Sequence, residues 1–135
     1  MAKSTLNPLP RLGIKLLPEG ILDYIQTDDR KFIRYGYWGK GNKGTVIILP
    51  GRSEYIEKYN IVIKEFLDRN FSVLCIDWRG QGLSQRPHGR TDIGHVKDFF
   101  EYQIDLETVL EHLKDHLDHK PKLLFSHSMG GSIGL

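Results

Sequence analysis

Short runs that are apolar throughout alternate along this chain with longer stretches in which apolar residues recur every three or four positions. From Ile21 to Ile25 and from Lys31 to Trp38 the apolar and aromatic residues alternate with polar ones, and Thr27-Asp28-Asp29-Arg30 separates the two segments. That pattern predicts a hairpin of two half-exposed strands. Thr45-Val46-Ile47-Ile48-Leu49 is apolar on both faces, as a central parallel strand covered by helices must be. Tyr55, Tyr59, Val62 and Phe66, with Ile56, Ile63 and Leu67 alongside, predict a helix ending near Asn70. Phe71 to Ile76 reads as a second buried strand. Phe99, Tyr102, Leu106, Val109, Leu113 and Leu117 read as a long amphipathic helix ending before Pro121, and Leu123 to Phe125 as a third central strand. Strands alternating with helices predict an α/β fold with a mostly parallel sheet and helices on both faces.

The 135 residues leave room for one domain, with residues 1 to about 20, broken by Pro8, Pro10 and Pro18, as an irregular arm. A net charge of +2 with acids and bases interspersed offers no footprint for nucleic acid. The single cysteine, Cys75, rules out an internal disulfide and fits a reducing compartment; inside Val73-Leu74-Cys75-Ile76 it reads as a buried thiol. No apolar run is long enough to span a bilayer or to serve as a secretory leader, so a cytoplasmic location is expected. His112, His116 and His119 share one helix face, but Glu111, Lys114, Asp115 and Asp118 surround them, which reads as a solvated face rather than a metal site. No metal or other cofactor is expected.

Three segments carry the chemistry. Phe125-Ser126-His127-Ser128-Met129-Gly130-Gly131 follows the third strand and has the small neighbours that a nucleophile on a strained strand-to-helix turn requires, which makes Ser128 the candidate catalytic residue. Leu49-Pro50-Gly51-Arg52-Ser53-Glu54 follows the first central strand, where one backbone N–H of an oxyanion hole would come from Arg52 and the other from Met129. Asp77-Trp78-Arg79-Gly80-Gln81-Gly82-Leu83-Ser84 follows the second, with Asp77 and Arg79 placed to pair or to cap neighbouring loops as support for the site floor. Gly39-Lys40-Gly41-Asn42-Lys43-Gly44 matches a dinucleotide-binding glycine pattern in letters only, because it leads into a strand and not a helix. It reads as a surface turn.

Taken together, the three loops resemble those of the α/β-hydrolase superfamily, and more narrowly its lysophospholipase and monoacylglycerol lipase branch. Members of that branch carry His-Gly-x-x-Glu, Asp-x-Arg-Gly-x-Gly-x-Ser and Gly-His-Ser-Met-Gly-Gly in these places. Pro50 stands here for the histidine of the first loop, and Ser126 for the first glycine of the elbow. The resemblance implies a carboxyl-ester hydrolase forming an acyl-enzyme on Ser128, with a small lipid or ester as substrate. In that superfamily the acid and the histidine of the triad follow the serine. Only six residues follow Met129, so the expectation is an incomplete hydrolase domain of residues 1–135, its core from 21, inactive alone and awaiting a complementing C-terminal half. Contact with a membrane would be peripheral. The alternative is a non-catalytic remnant or binding domain of the same fold.

Overall fold

The structure is a computed structural model that describes residues 17–85, 100–117, 120–127 and 130–131. Among the described residues five strands form one sheet: β1 (Ile21–Gln26), β2 (Phe32–Trp38), β3 (Thr45–Leu49), β4 (Ser72–Ile76) and β5 (Lys122–Ser126). Their spatial order is β1-β2-β4-β3-β5. β3 pairs in parallel with both β4 and β5, whereas β1 with β2 and β2 with β4 are antiparallel. A 3-10 helix over Ile56–Tyr59 runs into α1 (Asn60–Asp68), and α2 (Phe100–His112) is followed by the short α3 (Lys114–Leu117).

Strand alternation sorts the core into two layers. Ile47, Leu49, Leu74 and Ile76 face one side with Ile33, Tyr35 and Tyr37, where Tyr102, Val109, Leu113 and Leu117 of the α2–α3 region cover them. Val46, Ile48, Val73 and Cys75 face the other, under Ile56, Tyr59 and Ile63. Successive residues on a strand point to opposite faces, so a sheet covered twice must be apolar at every position. The all-apolar runs at β3 and β4 carry that signal. Cys75 is fully buried, and burial pushes its thiol well above the ordinary value.

Three expectations need correction. β2 is not half-exposed: Ile33 to Trp38 are buried, because β2 lies between β1 and β4 and is not at a sheet margin. Its Arg34 disguised this, since a buried arginine is rare unless paired. Here it donates from Nη1 and Nη2 to both oxygens of Glu57 at 2.8 and 2.6 Å, and from Nε to Asp77 at 2.8 Å. The predicted helix from Tyr55 begins as a 3-10 turn and becomes α-helical only at Asn60. Asp77 Oδ1 accepts the Ile56 N–H at 2.8 Å and fixes that entry. Finally, β5 is not central among the described strands but pairs with β3 alone and has exposed residues along its length.

The glycine-rich segment at 39–44 is a turn joining β2 to β3. Of the N-terminal arm, Leu17 packs on the α1 side and the Pro18 carbonyl accepts the Trp38 indole N–H at 3.0 Å; residues 1–16 lie outside the described residues.

Candidate active site

The three parallel strands end together. Leu49 pairs with Ser126 and Ile48 with Cys75, so the loops beginning at Pro50, Asp77 and His127 emerge side by side from the carboxyl edge of the sheet. In open α/β sheets this edge is where ligands bind.

Each loop holds the next. The Trp78 indole N–H donates to the Pro50 carbonyl at 2.8 Å, and Trp78 is fully buried with its ring edge-on to Tyr102. Gln81 grips the same loop twice, its Nε2 donating to the Gly51 carbonyl at 3.3 Å and its Oε1 accepting the Ser53 N–H at 3.2 Å. Ser53 itself adopts φ 65°, a left-handed conformation that a non-glycine residue holds only when its surroundings compel it. The Arg52 side of the loop is exposed, and the Arg52 N–H has no hydrogen-bond partner among the described residues.

The floor beneath is ionic. Asp77, fully buried, accepts from the N–H groups of Ile56 and Leu83 and from Arg34. Burial pushes its carboxyl up, and Arg34 with the two backbone donors opposes the shift. Arg79 pairs not with Asp77 but with Asp105 of α2 at 2.7 Å and Asp29 of the β1–β2 turn at 2.6 Å. The loop after β4 is therefore support, as its sequence implied.

Around the expected nucleophile, the His127 N–H donates to the Leu49 carbonyl at 3.2 Å and the Gly130 N–H to the His127 carbonyl at 3.0 Å. Gly130 and Gly131 are helical. Gly130 lies so close to β3 that a Cβ there would meet the Leu49 carbonyl oxygen at 2.0 Å. Ser128 and Met129 lie outside the described residues, as does His119. His112 and His116 lay their rings against Tyr35 and Tyr37. Among the described residues no group of His, Cys, Asp or Glu is arranged to hold a metal ion, and no helix is long and apolar enough to cross a membrane.

Sequence reasoning missed the part played by Glu54. One oxygen of its carboxylate accepts from the Gly51 N–H at 2.5 Å and the Tyr59 hydroxyl at 2.7 Å, and stands 3.2 Å from His127 Nδ1. The signals in the sequence were an acid three residues past a strand-end glycine and its place as the glutamate of the His-Gly-x-x-Glu pattern that this loop resembles.

A mixed sheet whose parallel strands β4, β3 and β5 end side by side, with a strand-to-helix turn at their carboxyl edge beside a tightly held loop, fits the α/β-hydrolase class. Solved structures with this fold include an esterase from Exiguobacterium antarcticum, with a TM-score of 0.70 and 24% identity over 84% of this chain and 38% of that one. A soluble variant of the monoglyceride lipase from Saccharomyces cerevisiae matches with a TM-score of 0.67 and 24% identity over 86% of this chain and 36% of its own. Residues 40–135 match the family model described as serine aminopeptidase, S33, and the chain belongs to that family of α/β-hydrolases. Lysophospholipase L2 of Escherichia coli strain K12 is 33% identical over 103 residues, covering 76% of this chain. The chain spans 30% of that relative's length.

Proposed function

We propose that this chain carries the nucleophile and oxyanion half of a serine carboxyl-ester hydrolase acting on lysophospholipids or monoacylglycerols. Ser128 Oγ attacks the ester carbonyl while a histidine takes its proton. The N–H groups of Arg52 and Met129 stabilise the tetrahedral oxyanion, and collapse expels the alcohol and leaves an acyl-enzyme. Water activated by the same histidine then releases the fatty acid. In this class the histidine and the acid that orients it both come after the serine in the chain.

The observation that carries the reading is the Arg52 N–H, left without a partner among the described residues while the N–H groups of Gly51, Ser53 and Glu54 in the same loop are all engaged, beside the His127–Gly130 turn. An oxyanion donor must be held rigidly yet left unspent for the transition state. The names of the E. coli and yeast relatives supply the substrate class.

The test is reconstitution. The 135-residue chain alone is expected to turn over neither p-nitrophenyl esters nor lysophospholipid, since without its base the site retains at best a residual contribution of ~10³ to 10⁴ over water, as in serine proteases. In a protein that also supplies a histidine and an acid after the serine, hydrolysis is expected, and Ser128→Ala should abolish it. Activity unaffected by Ser128→Ala would overturn the assignment.

A further inference from the structure

Glu54 lies at the junction of two of the three loops. Gly51, which it holds, immediately precedes Arg52; His127, which it faces, immediately precedes Ser128. The loops touch at this point, because a Cβ on Gly51 would stand 2.8 Å from Glu54 Oε1, 3.0 Å from His127 Nδ1 and 3.1 Å from the His127 carbonyl oxygen. Tyr59, buried at the end of the 3-10 helix, fixes the carboxylate from behind. A single oxygen thus receives donors from the oxyanion loop and the 3-10 helix and faces the elbow segment beyond β5.

We propose that Glu54 is a positioning residue, which locks the segment bearing the Arg52 donor to the segment bearing the nucleophile so that the two move as one body. The inference rests on the hydrolase reading for its purpose, though not for its geometry. Catalytic donors must be held to a fraction of an ångström, and groups outside the reacting shell do this through charge-assisted hydrogen bonds. Among the described residues the Glu54 carboxylate meets Gly51, Tyr59 and His127, and it acts through Gly51 and His127.

The charge state is part of the device. Burial alone would push the Glu54 carboxyl up, but the Tyr59 hydroxyl, the Gly51 N–H and the facing His127 ring outweigh it and hold the carboxyl below its usual range. A carboxylate whose folded-state value is depressed stabilises the fold above its ordinary value and loses that contribution as pH falls through the depressed one. The lock should therefore be fully closed at neutral pH and open in acid. The titratable groups facing Glu54 are Tyr59 and His127. Burial, and then Glu54 itself, raise the Tyr59 hydroxyl, so Tyr59 stays a donor throughout.

Hydrogen–deuterium exchange of the 135-residue chain, read by mass spectrometry on peptides spanning 50–54 and 126–131, tests this without any ester turnover. Glu54→Ala is expected to raise exchange on the order of tenfold or more in both peptides together, the loss of a charge-assisted bond. Gln81→Ala, which releases the Gly51 carbonyl and the Ser53 N–H from the opposite side, should loosen 50–54 only. In Glu54→Gln the neutral amide oxygen can still accept from Gly51 and Tyr59, so protection at neutral pH should return while its loss in acid disappears. A 126–131 peptide indifferent to Glu54→Ala, equal opening of both peptides by Gln81→Ala, or acid sensitivity that survives in Glu54→Gln would each overturn the proposal. Coupling found as expected in a chain that never yields an esterase would sink the hydrolase reading alone.

Discussion

Arg79 holds Asp105 by three bonds: its Nε and Nη2 donate to Oδ1 at 2.9 and 2.7 Å, and its own backbone N–H donates to Oδ2 at 2.9 Å. Both side chains are buried, and the pair fastens α2 to the loop after β4. Removing one member of such a pair strands the other charge. Arg79→Met should cost about 3 to 5 kcal/mol of stability, and Arg79→Met combined with Asp105→Leu should cost less than the two single changes summed. Urea midpoints for the three variants decide it; a loss below about 1 kcal/mol for Arg79→Met, the level of an exposed pair, would mean that the ion pair does not fasten the helix.

The same aspartate gives the chain a pH signature. Burial pushes the Asp105 carboxyl up to about 6 against the pull of Arg79, so the folded chain binds its proton more tightly than the unfolded chain does. Stability contributed by this group is fully present below the ordinary value of 3.8 and is lost as pH rises through about 6. Asp29, held low by its bond from Arg79, acts in the opposite sense and is lost on acidification. Stability measured from pH 4 to 7 should therefore show a downward component with rising pH that vanishes in Asp105→Asn. An unchanged slope in that variant would refute it.

Much of this arrangement is legible in the sequence because each strand's burial writes itself into composition. Val46 to Leu49 and Val73 to Ile76 are apolar at every position, which only a doubly covered strand requires, and they differ from the observed β3 and β4 by a residue at most. The turn glycines and the three strand-end loops were legible for the same local reason. What sequence hides is pairing at long range. Arg34 looked like a mark of exposure because its partners, Glu57 and Asp77, lie 23 and 43 positions away. The placement of β2 beside β4 and the grip of Glu54 on His127, 73 positions apart, leave no periodic trace either. Charges that neutralise one another across the fold look like solvated charges until the chain is folded.

Gly130 and Gly131 offer a paired test of how closely the elbow sits on β3. A methyl at 130 would meet the Leu49 carbonyl oxygen at 2.0 Å and its carbon at 2.6 Å, backbone atoms that cannot yield without moving the strand. A methyl at 131 would meet the Ser126 Oγ at 3.2 Å, which can rotate aside, and the Ser126 Cβ at 3.8 Å, an ordinary contact. Gly130→Ala should destabilise by roughly 1 to 3 kcal/mol, as overpacking does, despite the better helix propensity of alanine. Gly131→Ala should be neutral or slightly stabilising. Equal effects of the two changes in thermal denaturation would show that the turn is loose.

β5 sets how the chain behaves in solution. It pairs with β3 alone among the described strands, and Leu123, Leu124 and Phe125 remain 48%, 56% and 38% exposed. Alternation puts Leu124 on one face and Leu123 with Phe125 on the other, so apolar surface is open on both sides as well as along the unpaired edge. Phe125 shows what cover does there: its ring meets Tyr59 and Phe66 edge-on at 6.5 and 5.6 Å, yet much of it stays open. An apolar edge with free backbone groups is a template for another strand. We expect the isolated chain to self-associate with rising concentration, and Leu124→Lys to shift it toward monomer by placing a charge where a neighbouring copy would pack. Light scattering coupled to size exclusion reads the outcome directly, and a monodisperse monomer of the unaltered chain across the concentration range would defeat the expectation.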